Sequence, residues 1–283
     1  MEDNLTTKQK FGGPWTVEKL DILSDYLDFY VQALKKQAFN LIYIDAFAGT
    51  GKIKIGNEDD FIEIDGSAKL ALDSKISFDK YYFIEKKKSF AKELNQLIDN
   101  EYSNKKNKIE IINDDCNNAL RELCKSVNWS QNRAVLFLDP YATAVNWETL
   151  KIIANTKAID VWYLFPYSAA NRMLKVHGEI DKSWKAKLNS IFGCDDWEQE
   201  LYNEDPQMNL FGDNAIIKSN EKDALKSYEK RLKTIFPYVS NKSRVLYNKN
   251  NSPLFLFCFA VSNDNCKAWG LAAKVANYIF DHN

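Results

Sequence analysis

The stretch "LIYIDAFAGTGK", residues 41–52, places a short apolar run directly before a turn that contains two glycines, Gly49 and Gly51. A run of this kind predicts a fully buried strand, because five consecutive residues from Leu41 to Asp45 contain one charge, and that charge is last. A buried strand that ends in a glycine turn is typical of the first strand of an open α/β sheet, where the turn approaches a bound ligand.

The sequence on either side of this stretch indicates a doubly wound α/β sheet. Before it, residues 16–37 form an amphipathic helix, whose apolar residues recur every three or four positions, with Pro14 as a break and Thr16 as the expected N-cap. After it, apolar runs alternate with helical patterns, which predicts a parallel sheet covered on both faces. These runs are "KYYFIE", "KIEIIND", "AVLFLDPY" and "IDVWYLFP".

The remaining segments suggest a polar loop over Lys52–Asp65 and a mainly helical insertion without an obvious buried strand. The chain then ends in two strands and a helix. We therefore expect a mostly parallel, seven-stranded, Rossmann-like sheet whose last strand is antiparallel. We divide the chain into an N-terminal helix with a ligand-binding part at 1–170, a helical insertion at 171–240 and a closing strand pair with a helix at 241–283.

The composition excludes several classes of protein. The 283 residues carry a net charge of -1, so a nucleic-acid-binding surface has to be local. The candidate basic patches also fit solvated helix ends and turns. They are Lys86–Lys88, Lys105–Lys108 and Lys242–Arg244. Five cysteines without a CxxC pair and two histidines argue against a metal site and favour a reducing compartment. With no apolar run of membrane-spanning length, we expect a cytoplasmic protein and no membrane partner.

The residues around the glycines distinguish three ligands. A triphosphate-binding loop requires G-x-x-x-x-G-K-[ST], but Ala46 replaces its first glycine and Ile53 its hydroxyl residue. A dinucleotide-binding turn requires a third glycine where Lys54 stands, and a helix directly after the turn. The third ligand is S-adenosylmethionine, which has no phosphate but has an ammonium group that an acid can hold.

This third ligand fits the sequence best. Asp45 ends the first strand, and the pattern acid-x-F-x-G-x-G follows, with Phe47, Ala48, Gly49 and Gly51 beside the expected cofactor. Two further acids end the next two strands. We expect Glu85 to accept the ribose hydroxyls. Asp115, rather than Asp114, is the candidate for the adenine amino group, although the same residue also fits a helix N-cap.

The fourth strand ends in "FLDPY", residues 137–141. Methyltransferases that act on amines carry [DN]-P-P-[FYW] at this place, where the acid or amide accepts a hydrogen bond from the amine and the ring stacks on a flipped base. Asp139, Pro140 and Tyr141 match this motif except for the second proline, and a plain strand-end turn is the alternative. Tyr167, Asn171 and Arg172 fit either a substrate cleft or, more simply, the start of a helix.

Taken together, "FGGPWTVEKLDIL", "YIDAFAGTG", "FIEKKKSFAKEL", "NDDCNNAL", "LFLDPYATAVNWETL" and "PLFLFCFAVSN" resemble the three-Cys-motif partner protein family, TcmP. The resemblance covers most of the chain and is weakest over residues 171–236. It implies a methyltransferase-like fold, a cofactor site at the acids and glycines named above, and a methyl-transfer site at Asp139–Tyr141. It also makes Trp15, Thr16 and Lys19 candidates for the methionine end of the cofactor.

We therefore expect an S-adenosylmethionine-dependent methyltransferase that acts on an exocyclic base amine of nucleic acid, similar to adenine N6. The alternative is a methyltransferase-like binding subunit that works only with a partner protein from a neighbouring gene. The absent second proline and the near-neutral charge favour this alternative.

Overall fold

The computed structural model describes residues 14–57, 60–205 and 216–282. In this part of the chain the helices are α1 (Pro14–Leu34), α2 (Ser67–Asp73), α3 (Lys88–Glu101), α4 (Cys116–Ser126), α5 (Trp147–Asn155), α6 (Tyr167–Met173), α7 (Lys182–Phe192), α8 (Trp197–Leu201), α9 (Glu221–Leu232) and α10 (Cys266–His282). The strands are β1 (Asn40–Asp45), β2 (Lys52–Asn57), β3 (Asp60–Asp65), β4 (Lys80–Ile84), β5 (Ile109–Ile112), β6 (Asn132–Leu138), β7 (Ile159–Phe165), β8 (Tyr202–Glu204), β9 (Ile216–Lys218), β10 (Tyr238–Val239), β11 (Arg244–Tyr247) and β12 (Pro253–Val261).

The main sheet has the strand order β5-β4-β1-β6-β7-β12, with β10 and β11 both paired to the outer edge of β12. Eight strands therefore fill seven positions. The five strands from β5 to β7 are parallel, and β12 runs antiparallel to β7. This arrangement confirms the predicted doubly wound, mostly parallel sheet with an antiparallel last strand.

The position of β1 decides where a ligand can bind. It pairs with β4 on one side and with β6 on the other, so the chain builds the sheet outward from β1 in both directions. Open α/β sheets bind ligands at the carboxyl ends of the strands, where the strand order reverses. In this chain that point lies between the ends of β1 and β6.

The apolar strands are buried on both faces, which explains why they are continuous runs instead of alternating patterns. Ile42 and Ile44 of β1 pack into the layer that contains α4–α9, and Leu41 and Tyr43 pack into the layer that contains α1, α2, α3 and α10. Strand β1 therefore contributes side chains to the core on both faces of the sheet.

Helix α1 belongs to the second of these layers and is held against the sheet by fully buried side chains, among them Leu23, Tyr26 and Leu27. The Tyr26 hydroxyl donates a 2.5 Å hydrogen bond to Asp160 at the start of β7. The helix begins at Pro14, two residues before the predicted start, and ends three residues early. Proline fits the first helical turn because that turn needs no backbone N–H, so Pro14 is part of the helix and Thr16 is not its N-cap.

Two segments differ from the sequence prediction. Residues Lys52–Asp65, predicted as a loop, form the β2–β3 hairpin, in which alternating lysines and isoleucines pair with acids and isoleucines across the strands. The segment predicted to be helical also contains the short antiparallel pair of β8 and β9. Both are isolated pairs outside the main sheet, where short alternating or mixed patterns are weak signals.

Candidate functional site

The strand register brings three acidic strand ends together. Asp45 lies opposite Phe83 of β4 and Phe137 of β6, so Glu85 and Asp139 each follow two residues beyond that level. Neighbouring strands are about 4.8 Å apart, which places all three residues at one edge of the sheet around β1. This edge is the reversal point described above, and it is the candidate site.

The glycine turn crosses this edge and is fixed by the strands on both sides. The Ala46 amide donates to the Phe137 carbonyl over 3.1 Å, and the Ala48 amide donates to the Ile84 carbonyl over 3.0 Å. Gly49 and Gly51 both have positive φ angles, +60° and +83°. A Cβ atom at Gly49 would have no heavy atom within 4 Å, whereas at Gly51 it would lie 3.1 Å from Leu94 Cδ1. Gly49 therefore borders open space, and Gly51 packs against helix α3.

Glu85 joins the turn to the end of β4. Its Oε2 accepts a 3.0 Å hydrogen bond from the Gly49 amide, and its Oε1 accepts a 2.7 Å bond from the Lys87 amide. The Asn113 side chain donates to the Glu85 carbonyl over 2.7 Å and to the Lys86 carbonyl over 3.0 Å. The half-exposed Glu85 carboxylate is thus held beside the open face of Gly49.

Asp45 is completely buried beneath the turn. Its Oδ1 accepts a 3.1 Å hydrogen bond from the Phe47 amide, which helps to shape the turn. Burial, and to a smaller extent the charge of Asp139, raise the pKa of this carboxyl group to a net value of about 6. Hydrogen bonds from Ser67 and Phe47 and the charge of Lys19 act in the opposite direction. A cation bound at this edge would favour the ionised form.

Asp139 forms an ion pair with Lys19 of α1. The Lys19 side chain is 4% exposed and that of Asp139 is 25% exposed, so the pair lies at the inner end of the site. The Lys19 ammonium also lies 4.8 Å from the centre of the Trp15 ring, and Trp15 packs against Phe255 with ring centres 5.1 Å apart. Thr16 is buried in the same turn of α1. The start of α1 therefore covers the carboxyl end of β6 and the beginning of β12, which meets the same edge because β12 is antiparallel.

The loop after β6 carries Pro140, which is buried, and Tyr141, which is 62% exposed. Ala142 has a positive φ of 51°, which an L-residue seldom adopts and which turns the chain sharply at this point. The Tyr141 ring, two residues after Asp139 in the chain, is thus largely exposed to solvent.

Asp115 acts as the N-cap of α4, one of the two roles that the sequence left open. Its Oδ1 accepts hydrogen bonds from the Asn117 amide, 3.0 Å, and side chain, 2.9 Å, and Oδ2 forms a 3.2 Å ion pair with Lys86. Although burial opposes it, these contacts lower the pKa of Asp115. A role in binding adenine would use Oδ2, which remains partly exposed beside Lys86.

The other residues singled out from the sequence contact the core, a neighbouring strand or solvent. Phe47 is half-buried and packs into the core layer of α4–α9. Tyr167 is buried at the start of α6, and Asn171 accepts a 3.0 Å hydrogen bond from Lys218, whereas Arg172 is exposed. Tyr167 and Asn171 thus serve the start of a helix and its packing, the simpler of the two roles considered for them.

Sequence reasoning did not identify Asn117, which fixes the loop after β6. Its amide nitrogen donates to the Ala144 carbonyl over 2.9 Å, and its oxygen accepts from the Asn146 amide, 2.9 Å, and the Thr149 hydroxyl, 2.8 Å. It also missed Ser67, which faces Asp45 from α2. The asparagine pair in "NDDCNN" was a signal for Asn117, whereas nothing near Ser67 distinguishes it from an ordinary helix start.

The candidate basic patches are mostly engaged in local contacts. Lys86 pairs with Asp115, Lys106 with Asp99, Lys242 with Asp281 and Arg244 with Glu18. Lys105 and Lys108 donate to backbone carbonyls. Among the residues that the structure describes, there is no group of acids, histidines and cysteines suited to a metal ion, and no helix has the length and apolar character needed to cross a membrane.

No protein-family model matches the chain, and no curated protein matches it. Its fold resembles that of protein LPL1258 from Legionella pneumophila str. Philadelphia 1, described under the family model DUF519, with 12% identity over 94% of this chain and 92% of that one and a TM-score of 0.51.

Weaker likenesses include the methyltransferase domain of bacterial CtHen1, with 12% identity over 85% of this chain and 98% of that one and a TM-score of 0.41. The plantazolicin methyltransferase BamL, solved with a triazolic desmethylPZN analogue and SAH, has 10% identity over 88% and 86% and a TM-score of 0.39. At such low identity a likeness concerns the fold alone. The chain has a mixed α/β fold with a mostly parallel seven-position sheet, shared along nearly its whole length with the Legionella protein.

Proposed function

We propose that this chain is an S-adenosylmethionine-dependent methyltransferase. The observation that carries the proposal is the meeting of Asp45, Glu85 and Asp139 around a glycine turn, at the edge where the strand order reverses. Three carboxyl groups lie at the turn, and the nearby lysines Lys19 and Lys52 are both paired with acids. This charge distribution suits a ligand that is positively charged and lacks phosphate.

The residues present fit this cofactor. The open space beside Gly49 allows close approach to the backbone, and the half-exposed Glu85 carboxylate beside it suits a ribose diol. Asp115 would hold the adenine amino group. The turn itself, with Asp45, Phe47, Ala48 and Gly51, would line the cofactor site. Trp15, Thr16 and Lys19 would cover the methionine end. Lys52 pairs instead with Glu63 over 3.1 Å, so the lysine of a phosphate-binding loop has another role here.

The acceptor would be an exocyclic amine of a nucleic-acid base, held by Asp139, Pro140 and Tyr141. Bound S-adenosylmethionine would supply a methyl group that is already activated by its sulfonium. The chain's own contribution is alignment of the amine for in-line attack. The Asp139 oxygen that does not face Lys19 accepts a hydrogen bond from the amine, and the exposed Tyr141 ring stacks on the base.

A second function is favoured by the ion pair between Lys19 and Asp139. A carboxylate that is already neutralised by a buried lysine is a weaker acceptor for an amine, and the motif also lacks its second proline. The chain would then be a methyltransferase-like subunit that acts only with a partner protein, in keeping with the resemblance to the three-Cys-motif partner family.

One experiment tests both functions. Purified chain is incubated with S-adenosylmethionine labelled in the methyl group and with single- and double-stranded RNA and DNA, and transfer to the acceptor is counted. Asp139→Ala should abolish transfer, because it removes the acceptor contact, while the folded variant should still bind the cofactor through the Asp45 and Glu85 side of the site. Transfer that survives in Asp139→Ala would remove Asp139 from the mechanism. Cofactor binding without transfer to any acceptor would favour the subunit that needs a partner.

A further inference from the structure

Helix α9 and its C-cap residue carry a row of four exposed lysines outside the candidate site: Lys222, Lys226, Lys230 and, at the cap, Lys233. They are separated by four, four and three residues, so they share one face of the helix and span about 16 Å. The buried residues of α9 lie on the opposite face, where Tyr228 stacks on Phe165 of β7 with ring centres 3.5 Å apart. The lysine row therefore points straight into solvent.

None of the four lysines forms an ion pair or a side-chain hydrogen bond within the described ranges 14–57, 60–205 and 216–282, in contrast to Lys86, Lys106 and Lys242 of the patches described above. Three of the nearby acids contact groups other than these lysines, and a fourth lies beside the row. Asn220 holds Asp223, Glu200 pairs with Arg231, and Glu221 faces the Tyr247 hydroxyl at 3.5 Å. Glu229 flanks the row. The row thus presents four lysine ammonium groups and one acid, which leaves a net positive strip on this face of the helix.

The end of the row at Lys222, where α9 begins, lies near the edge of the sheet that carries the candidate site. Glu221, next to Lys222, faces Tyr247 at the carboxyl end of β11, and the Tyr247 side chain is 41% exposed. β11 lies three strands from β6, through β12 and β7, a lateral separation of about 14 Å. An exposed aromatic ring therefore lies beside the start of α9, on the same edge of the sheet as Asp139.

We propose that the α9 lysine row binds the phosphate backbone of a single-stranded nucleic acid whose target base enters the site at Asp139. Regularly spaced cations followed by an exposed aromatic ring suit a chain of phosphates with bases that can stack. A membrane surface fits less well, because the outward face of α9 has no apolar side chain between its lysines. This proposal rests on the proposed function, because it names single-stranded nucleic acid as the substrate class of the site at Asp139.

The test uses a short fluorescein-labelled single strand of mixed sequence, as RNA and as DNA, and measures binding by anisotropy between about 50 and 200 mM salt. Four phosphate contacts on a single strand predict a logarithmic salt slope of about -3, or roughly 50-fold weaker binding across this range. The variant with glutamine at Lys222, Lys226, Lys230 and Lys233 should lose most of this slope and bind at least about tenfold more weakly at low salt. Tyr247→Ala should weaken binding about tenfold without changing the slope.

A matched control removes the same four charges elsewhere. Glutamine at Lys35, Lys36, Lys267 and Lys274, all exposed, should keep binding within about threefold. Equal loss in both quadruple variants, or no binding by the wild type, would overturn the proposal and make an acidic protein surface the partner to seek. Calorimetry with S-adenosylmethionine on the same proteins separates the two proposals, since the lysine row should not affect cofactor affinity.

Discussion

The Lys19 ammonium and the Asp139 carboxylate form an ion pair across 120 residues of sequence, joining the first helix to the loop after β6. Lysine is seldom buried without a partner, and Lys19 is 3% exposed. The pair therefore fixes the position of the residue that the proposed reaction places nearest to the acceptor. It also ties the fold of α1 to the geometry of the site.

Lys19→Met should destabilise the protein by about 1–3 kcal/mol, because it leaves Asp139 without its counter-charge. The partial exposure of Asp139 keeps the loss below that of a fully buried pair. The free energy of unfolding in urea measures it. Lys80→Met is the matched control, since the pair of Lys80 with Glu110 is at the surface and should contribute less than about 1 kcal/mol. Equal losses in the two variants would show that Lys19 and Asp139 do not interact as described.

Gly49→Ala should mainly lower cofactor affinity, whereas Gly51→Ala should mainly lower stability. Both place an L-residue at positive φ, which costs about 1–2 kcal/mol. At Gly51 the new methyl group also meets Leu94, so stability falls further. At Gly49 the methyl group enters open space, so stability falls less, but the approach of a ligand is blocked and cofactor affinity should fall more than about tenfold. Thermal unfolding and calorimetry on both variants provide the comparison; unchanged affinity in Gly49→Ala would place the ligand elsewhere.

Glu85→Gln should weaken S-adenosylmethionine binding by about tenfold or more, because a hydrogen bond to a charged acceptor contributes about 1.5–3 kcal/mol. Glutamine keeps one oxygen for the Gly49 amide but cannot also accept the bond from the Lys87 amide, so thermal unfolding should accompany the titration to show that the variant is folded. Glu110→Gln, on β5 and away from this edge, should bind as the wild type does. Calorimetric titration distinguishes the two, and a normal affinity in Glu85→Gln would argue against its contact with the ribose.

Cofactor affinity should depend on pH through Asp45. Burial first, and then the charge of Asp139, raise the pKa of this carboxyl group from 3.8 to about 6 in the folded protein. A bound cation favours the charged form, so binding requires loss of the proton and weakens as the pH falls below about 6. Affinity at pH 5 should be about tenfold below that at pH 7. In Asp45→Asn affinity should be weak and nearly constant over this range; a wild-type affinity that does not change with pH would contradict this role.

The fold could be predicted from the sequence because buried parallel strands are continuous apolar runs, and those from β1 to β7 in the main sheet stand out clearly. The β2–β3 hairpin could not be recognised, since its lysines and acids compensate one another across the strands and resemble a polar loop. The sequence also identified the acids at the strand ends, because the register of parallel strands places such residues together.

The partners of these acids were harder to foresee. That Lys19 pairs with Asp139, or that Asn117 holds the loop after β6, depends on contacts between elements distant in sequence. A lysine on an amphipathic helix usually reaches solvent, so its burial follows from the way α1 crosses the end of β6. Asp115 satisfied the simpler of its two expected roles by capping α4, and its role in adenine binding stays a prediction.

The most direct test of the central proposal is a calorimetric titration of the purified chain with S-adenosylmethionine, alongside Asp45→Ala and Glu85→Ala. The proposal predicts saturable binding by the wild type with one site per chain, and clearly weaker binding by both variants. No heat of binding to the folded wild-type chain at millimolar ligand would contradict a cofactor site at this edge of the sheet.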